Sequence, residues 1–258
     1  MSRTKTPADL GWESDTWRQV GNCTVWLAVA AALAGWIGVG IFVALITHEV
    51  GHLVAARWSG AKTFGIACHP TGMVTRIYAD YTPALGARLA IAGPLTGVVL
   101  ALIALATTAI THQSGLLAYA YISACINILV LMPYGETDGV RVVAGVTHSP
   151  KAKLRSSVAA ALLYTSVIAA SVIAAPLIGI GFGIIVITML VRYGLQSSEF
   201  EHTRHISARS RLFYGGLYLL TAIVAAVVIR TSLELGSAAA VTAILGSHWL
   251  GLVELVTN

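Results

Sequence analysis

The chain has 258 residues, of which 57% are hydrophobic and 10% charged, and its mean hydropathy is +0.79. Soluble domains carry about 25% charged residues, so this composition excludes an ordinary water-soluble globule and predicts an all-α polytopic membrane protein. The formal net charge of +5 does not point to nucleic acid, because the basic residues sit in loops between apolar runs and form no face.

Residues 1–19 read as a polar leader, with Trp12 and Trp17 placed to sit at a membrane interface. No cleavable signal peptide is recognisable, and the first apolar run is expected to act as an uncleaved anchor. Thr24 to Trp58 is apolar apart from Thr24, Thr47, Arg57 and a polar motif. As one helix it would be roughly 50 Å long, against a bilayer core of about 30 Å. The expected solution is a break near Gly35, giving helices at 20–34 and 36–58; one long tilted helix is the alternative. Residues 62–82 place β-prone pieces on either side of Pro70-Thr71-Gly72, which predicts a short β-hairpin over about 64–78 or a re-entrant loop.

Further spans are predicted near 87–110, 116–133, 157–174, 177–193 and 213–230. A last run at 237–256, which contains His248 and Glu254, either spans or lies along the interface. The total is then six to eight transmembrane helices. The organisation that follows is a leader (1–19), a membrane core carrying the motif (20–143) and C-terminal helices (144–258). The loops after the motif helix and after the fourth and sixth spans carry Arg and Lys, whereas those at 111–115 and 175–176 carry none. This places the N-terminus and the motif end on the cytoplasmic side of an integral membrane protein surrounded by lipid. The segment after the fourth span, with Arg141, reads as a loop. Cys23, Cys68 and Cys125 have no metal-site spacing, and their odd number argues against a disulfide framework; Cys23 and Cys125 read as packing residues.

The motif is His48-Glu49-Val50-Gly51-His52, an HExxH inside an apolar helix. Residues four apart share a helix face, so both imidazoles can bind one Zn²⁺, and Glu49 can serve as a base toward a water that the zinc activates. Such groups are expensive in hydrocarbon and are usually functional. A catalytic zinc takes three protein ligands. The third is sought in Pro133-Tyr134-Gly135-Glu136-Thr137-Asp138-Gly139, where Asp138 and Glu136 are rivals and Gly139 would allow a tight turn that aims Asp138 inward. His69, His112, His148, and the group Glu201, His202 and His205 read as loop residues. Gly38/Gly40 and Gly93/Gly97 read as sites of close helix packing.

At this point the sequence resembles the site-2 proteases, which are intramembrane zinc metalloproteases. The resemblance is carried by Thr47-His48-Glu49-Val50-Gly51-His52 with Ala55-Ala56-Arg57, by Ala92-Gly93-Pro94-Leu95-Thr96-Gly97, and by Pro133 followed by Asp138-Gly139; it covers about residues 36–143. It implies that His48, His52 and Asp138 bind one zinc ion, that Glu49 is the general base, and that residues 64–78 form a hairpin near the site which pairs with an unwound substrate. The substrate it implies is a single-pass membrane protein, such as a membrane-tethered transcription regulator, in a bacterial or archaeal cell membrane. The family's asparagine three residues before the proline is replaced here by Val130, and Asn127, one turn earlier, stands as a candidate for contacting the substrate or oxyanion, or for an interhelical hydrogen bond. The alternative function is a non-proteolytic metal-binding membrane protein, a transporter or a sensor; a transporter would tend to show inverted repeats, and none is visible.

Overall fold

The computed structural model describes residues 16–69, 72–79, 82–132, 137–146 and 207–235. In chain order these form α1 (Thr16–Trp58), β1 (Lys62–His69), β2 (Gly72–Tyr78), α2 (Pro83–Thr111), α3 (Ser114–Val130), α4 (Asp138–Val146) and α5 (Ala208–Leu235). The spans expected at 157–174, 177–193 and 237–256 lie outside the described residues.

The break expected near Gly35 is present. Gly35 has φ 54° and ψ −136°, a conformation that a side chain resists and glycine accepts. The two arms of α1 fold back on each other at once: a Cβ on Gly38 would strike the Ala30 carbonyl. At the opposite end, the amide of Gln19 donates to the Phe64 carbonyl at 2.7 Å and that of Asn22 to the Cys68 carbonyl at 2.7 Å. The start of the first arm therefore lies against the strand that follows the second. Cys23 and Cys68 are joined there by a disulfide, contrary to the expectation drawn from an odd cysteine count. The reason is topological: the fold-back at Gly35 and the hairpin bring together two residues whose separation of 45 carries no spacing signal. Cys125 keeps its thiol.

Strands β1 and β2 pair antiparallel, with Ile66 opposite Thr75 and Cys68 opposite Met73, and the register shifts between Thr63 and Ile66. This is the expected hairpin rather than a re-entrant coil. Two strands alone are marginal in stability, so the contacts to α1 matter to its persistence.

Helix α2 begins where Thr82 caps it, its hydroxyl oxygen accepting from the Leu85 N–H at 3.2 Å, with Pro83 at the first helical position. It ends at His112, in the left-handed conformation, whose N–H donates to the Thr108 carbonyl at 2.8 Å. Helix α2 is central, packing against α1, α3, α4 and α5. Small residues let it do so: Ala87, Ala90 and Ile91 meet Leu131, Val142 and Tyr214, and farther along Ala101, Ala104 and Leu105 meet Ala120, Ala124 and Val228.

Among the described residues three helices, α1 from Gln19, α2 and α5, are long and apolar enough to cross a membrane. Each arm of α1 is roughly 25–35 Å long, enough to cross most or all of an apolar core. Trp36 is 82% exposed, Ile110 81% and Leu212 79%, so the outer faces of α1, α2 and α5 are apolar, as a lipid-facing surface requires. The segment carrying Arg141 is a nine-residue helix and not a loop. Its sequence is amphipathic: Val140, Val142 and Val143 are buried while Arg141 is exposed.

Candidate metal centre

The second arm of α1 brings His48, Glu49 and His52 to its inner face, all buried, and together they form a group that could hold a metal ion. Asp138, the first residue of α4, reaches the same point from the far side of the bundle. Its Oδ2 lies 3.1 Å from His48 Nε2 and 3.1 Å from His52 Nε2, and the two Nε2 atoms are 3.0 Å apart. Three ligand-type atoms, two from one helix and one from a residue 86 positions beyond His52, thus form a nearly equilateral triangle.

The protons on the imidazoles are directed away from this triangle. His52 Nδ1 lies 2.7 Å from the Leu89 carbonyl, which can only accept, so Nδ1 carries the hydrogen. His48 Nδ1 lies 2.8 Å from Asn127 Oδ1, and the Asn127 amide NH₂ donates to the Ser123 carbonyl at 2.7 Å, so the oxygen of the amide faces His48 and accepts. Both Nε2 atoms therefore present lone pairs to each other and to a carboxylate oxygen. With both imidazoles neutral, three acceptors at 3.0–3.1 Å repel, and a cation at their centre turns that repulsion into attraction.

Glycines of α2 make the room. A Cβ on Gly93 would run into both His52 Nε2 and His48 Nε2, and one on Gly97 would collide with the Asn127 amide. The Gly93/Gly97 pair thus allows close packing as expected, and the partners it admits are the side chains of this centre. Gly139 acts in the same way: it sits in the first turn of α4, and a Cβ there would strike the Leu131 carbonyl. It is space at the end of α3, and not a special turn, that Asp138 needs from its neighbour. Tyr218 of α5 donates to that same Leu131 carbonyl at 2.6 Å, bracing the turn from outside.

His48, Glu49, His52 and Asp138 are therefore together, as the sequence reading expected. Asn127 is fully buried behind His48, its oxygen against His48 Nδ1, and it is not among the residues that line the cavity. Glu136 lies outside the described residues, as do His148 and the Glu201, His202, His205 group. Thr75 was not singled out from sequence: its N–H donates to Glu49 Oε2 at 2.7 Å and its hydroxyl to the same oxygen at 2.6 Å. Only the register of β2 over α1 reveals it, and no sequence pattern encodes that docking.

A cavity of about 540 Å³ opens on the centre. Its walls include Met73, Val74 and Ile77 of β2, Leu89 of α2 and Val130 of α3, with Arg76 and Arg141 also among the lining residues. No family model and no curated protein sequence matches the chain.

Proposed function

We propose that the protein is a membrane-embedded zinc metalloprotease of the site-2 type, which hydrolyses a peptide bond within or near a transmembrane segment of another membrane protein. The observation that carries this reading is the buried triangle of His48 Nε2, His52 Nε2 and Asp138 Oδ2, lone pairs inward, with a fourth group, the Glu49 carboxylate, beside it at the wall of a cavity. Four-coordinate zinc with bonds of about 2.0–2.1 Å spaces its ligands by about 3.3 Å, within a few tenths of the spacing here. The donor set, two imidazoles and one carboxylate, leaves one position open, the pattern of a catalytic rather than a closed structural site.

Zn²⁺ in that position would acidify a water and polarise the scissile carbonyl. The chain's own residues do the rest. Glu49 takes a proton from the attacking water and returns it to the leaving amine. Asn127 and the Leu89 carbonyl hold the two imidazoles in the tautomer and orientation that ligation needs. A helical substrate hides its carbonyls in its own hydrogen bonds, and an unwound segment would recover some of them by pairing with the outer edge of β2. The apolar walls accept the side chains of such a segment.

The test is zinc content together with cleavage of a model transmembrane substrate, on purified wild type and Glu49→Gln in lipid. One zinc in both proteins, with cleavage lost only in the variant, supports the reading. Zinc in both with no cleavage by wild type favours a metal-binding transporter or sensor, and no zinc in either refutes the metal centre.

A further inference from the structure

Strand β2 holds Glu49 as well as bordering the cavity. Both donors of Thr75 converge on one carboxylate oxygen, the backbone N–H at 2.7 Å and the hydroxyl at 2.6 Å, and the hydroxyl also lies 3.0 Å from the Glu49 carbonyl. The Thr75 N–H thus ties β2 to a side chain of α1. Glu49 is 7% exposed, yet its carboxylate borders open volume and would otherwise sample several rotamers. Two bonds to Oε2 restrict that freedom. Among the described residues, no hydrogen bond engages Oε1.

We propose that Thr75 is a positioning residue for the general base: it anchors Glu49 through Oε2 and leaves Oε1 to exchange the proton. This rests on the hydrolytic role given to Glu49 above. It makes the hairpin and the base one mechanical unit, in which the strand that pairs with substrate also aims the carboxylate. A hairpin that merely docks on α1 through Thr75 would serve substrate binding and leave the chemical step alone, so the two roles separate in kinetics.

Two measurements decide it. The first is hydrogen–deuterium exchange of the lipid-embedded full chain. An edge N–H without a partner exchanges quickly, so Thr75 is expected to be protected in wild type and to exchange at least about tenfold faster in Glu49→Ala. Equal rates in the two proteins would overturn the proposal. The second is cleavage of a quenched fluorescent peptide carrying an apolar transmembrane segment. Thr75→Val keeps the shape, the strand propensity and the N–H but removes the hydroxyl. We expect kcat to fall about ten- to a hundredfold with KM within about twofold and zinc content unchanged, and Thr75→Ser to recover most of the loss. A Val variant with wild-type kcat, or a loss confined to KM, would overturn the proposal; should Val impair folding, Thr75→Ala reads the same split. A wild type that binds zinc and cleaves nothing, beside the expected exchange result, refutes the hydrolytic reading and leaves the Thr75–Glu49 link standing.

Discussion

Replacing Asn127 with leucine tests whether the centre is held from behind. The two side chains are similar in size, so the substitution removes the acceptor for His48 Nδ1–H and leaves no large void. Asn127 is fully buried and its oxygen is 2.8 Å from His48 Nδ1, so no water is at hand to replace it. His52 is unaffected, because its Nδ1 is anchored on a backbone carbonyl, Leu89, that the substitution does not touch. Only one of two imidazoles is loosened. Loss of such an outer partner typically weakens metal affinity about 10- to 100-fold, or about 1.4–2.7 kcal/mol. A buried donor left without a partner also costs about 1–3 kcal/mol of stability. Zinc affinity would be read by competition with a chelator at fixed pH, and stability by the thermal midpoint of the zinc-free proteins. An Asn127→Leu protein that binds zinc as tightly as wild type would refute the claim that the amide orients His48. A loss beyond a thousandfold would also count against it, since that magnitude belongs to losing a ligand outright.

Asp138→Ala removes the third corner of the triangle and is expected to abolish stoichiometric zinc binding while the fold survives, as metal analysis of the purified protein would show. Gly93→Ala inserts a methyl group at both Nε2 atoms and should also lose zinc, whereas Gly86→Ala on the same helix meets open space and should bind zinc normally with stability unchanged or raised by up to about 1 kcal/mol. Equal zinc content in the two glycine variants would show that α2 does not crowd the centre in the membrane. Tyr218→Phe removes the brace on the Leu131 carbonyl and should lower stability by about 0.5–1.5 kcal/mol in a thermal melt, with zinc still bound.

Much of this centre was legible in the sequence, and the reasons are local. HExxH puts its two histidines on one helix face and the glutamate on the neighbouring one, so the placing of His48, Glu49 and His52 follows from helical periodicity alone. The break at Gly35 followed from length against bilayer thickness, and the hairpin from Pro70-Thr71-Gly72 between β-prone residues. What could not be read is whatever depends on docking between elements. The contact of Thr75 with Glu49 depends on where β2 lies over α1. The Cys23–Cys68 bond depends on the fold-back of α1 together with the hairpin. The α4 helix escaped because nine residues give little more than two turns of periodicity, and Arg141 marked the segment as a basic loop.

The Cys23–Cys68 bond has a consequence for the orientation of the chain. Disulfides persist in oxidising compartments and are reduced in the cytosol. The basic loops lead to the expectation of a cytoplasmic motif end, and a standing bond at that end would argue for the opposite face, so the oxidation state of this cysteine pair in intact cells is a gauge of topology. In a cytoplasmic orientation the resting form is the dithiol. The hairpin is then tied to the first arm of α1 by the Gln19 and Asn22 amides, and oxidants would fasten covalently the same strand pair that grips Glu49.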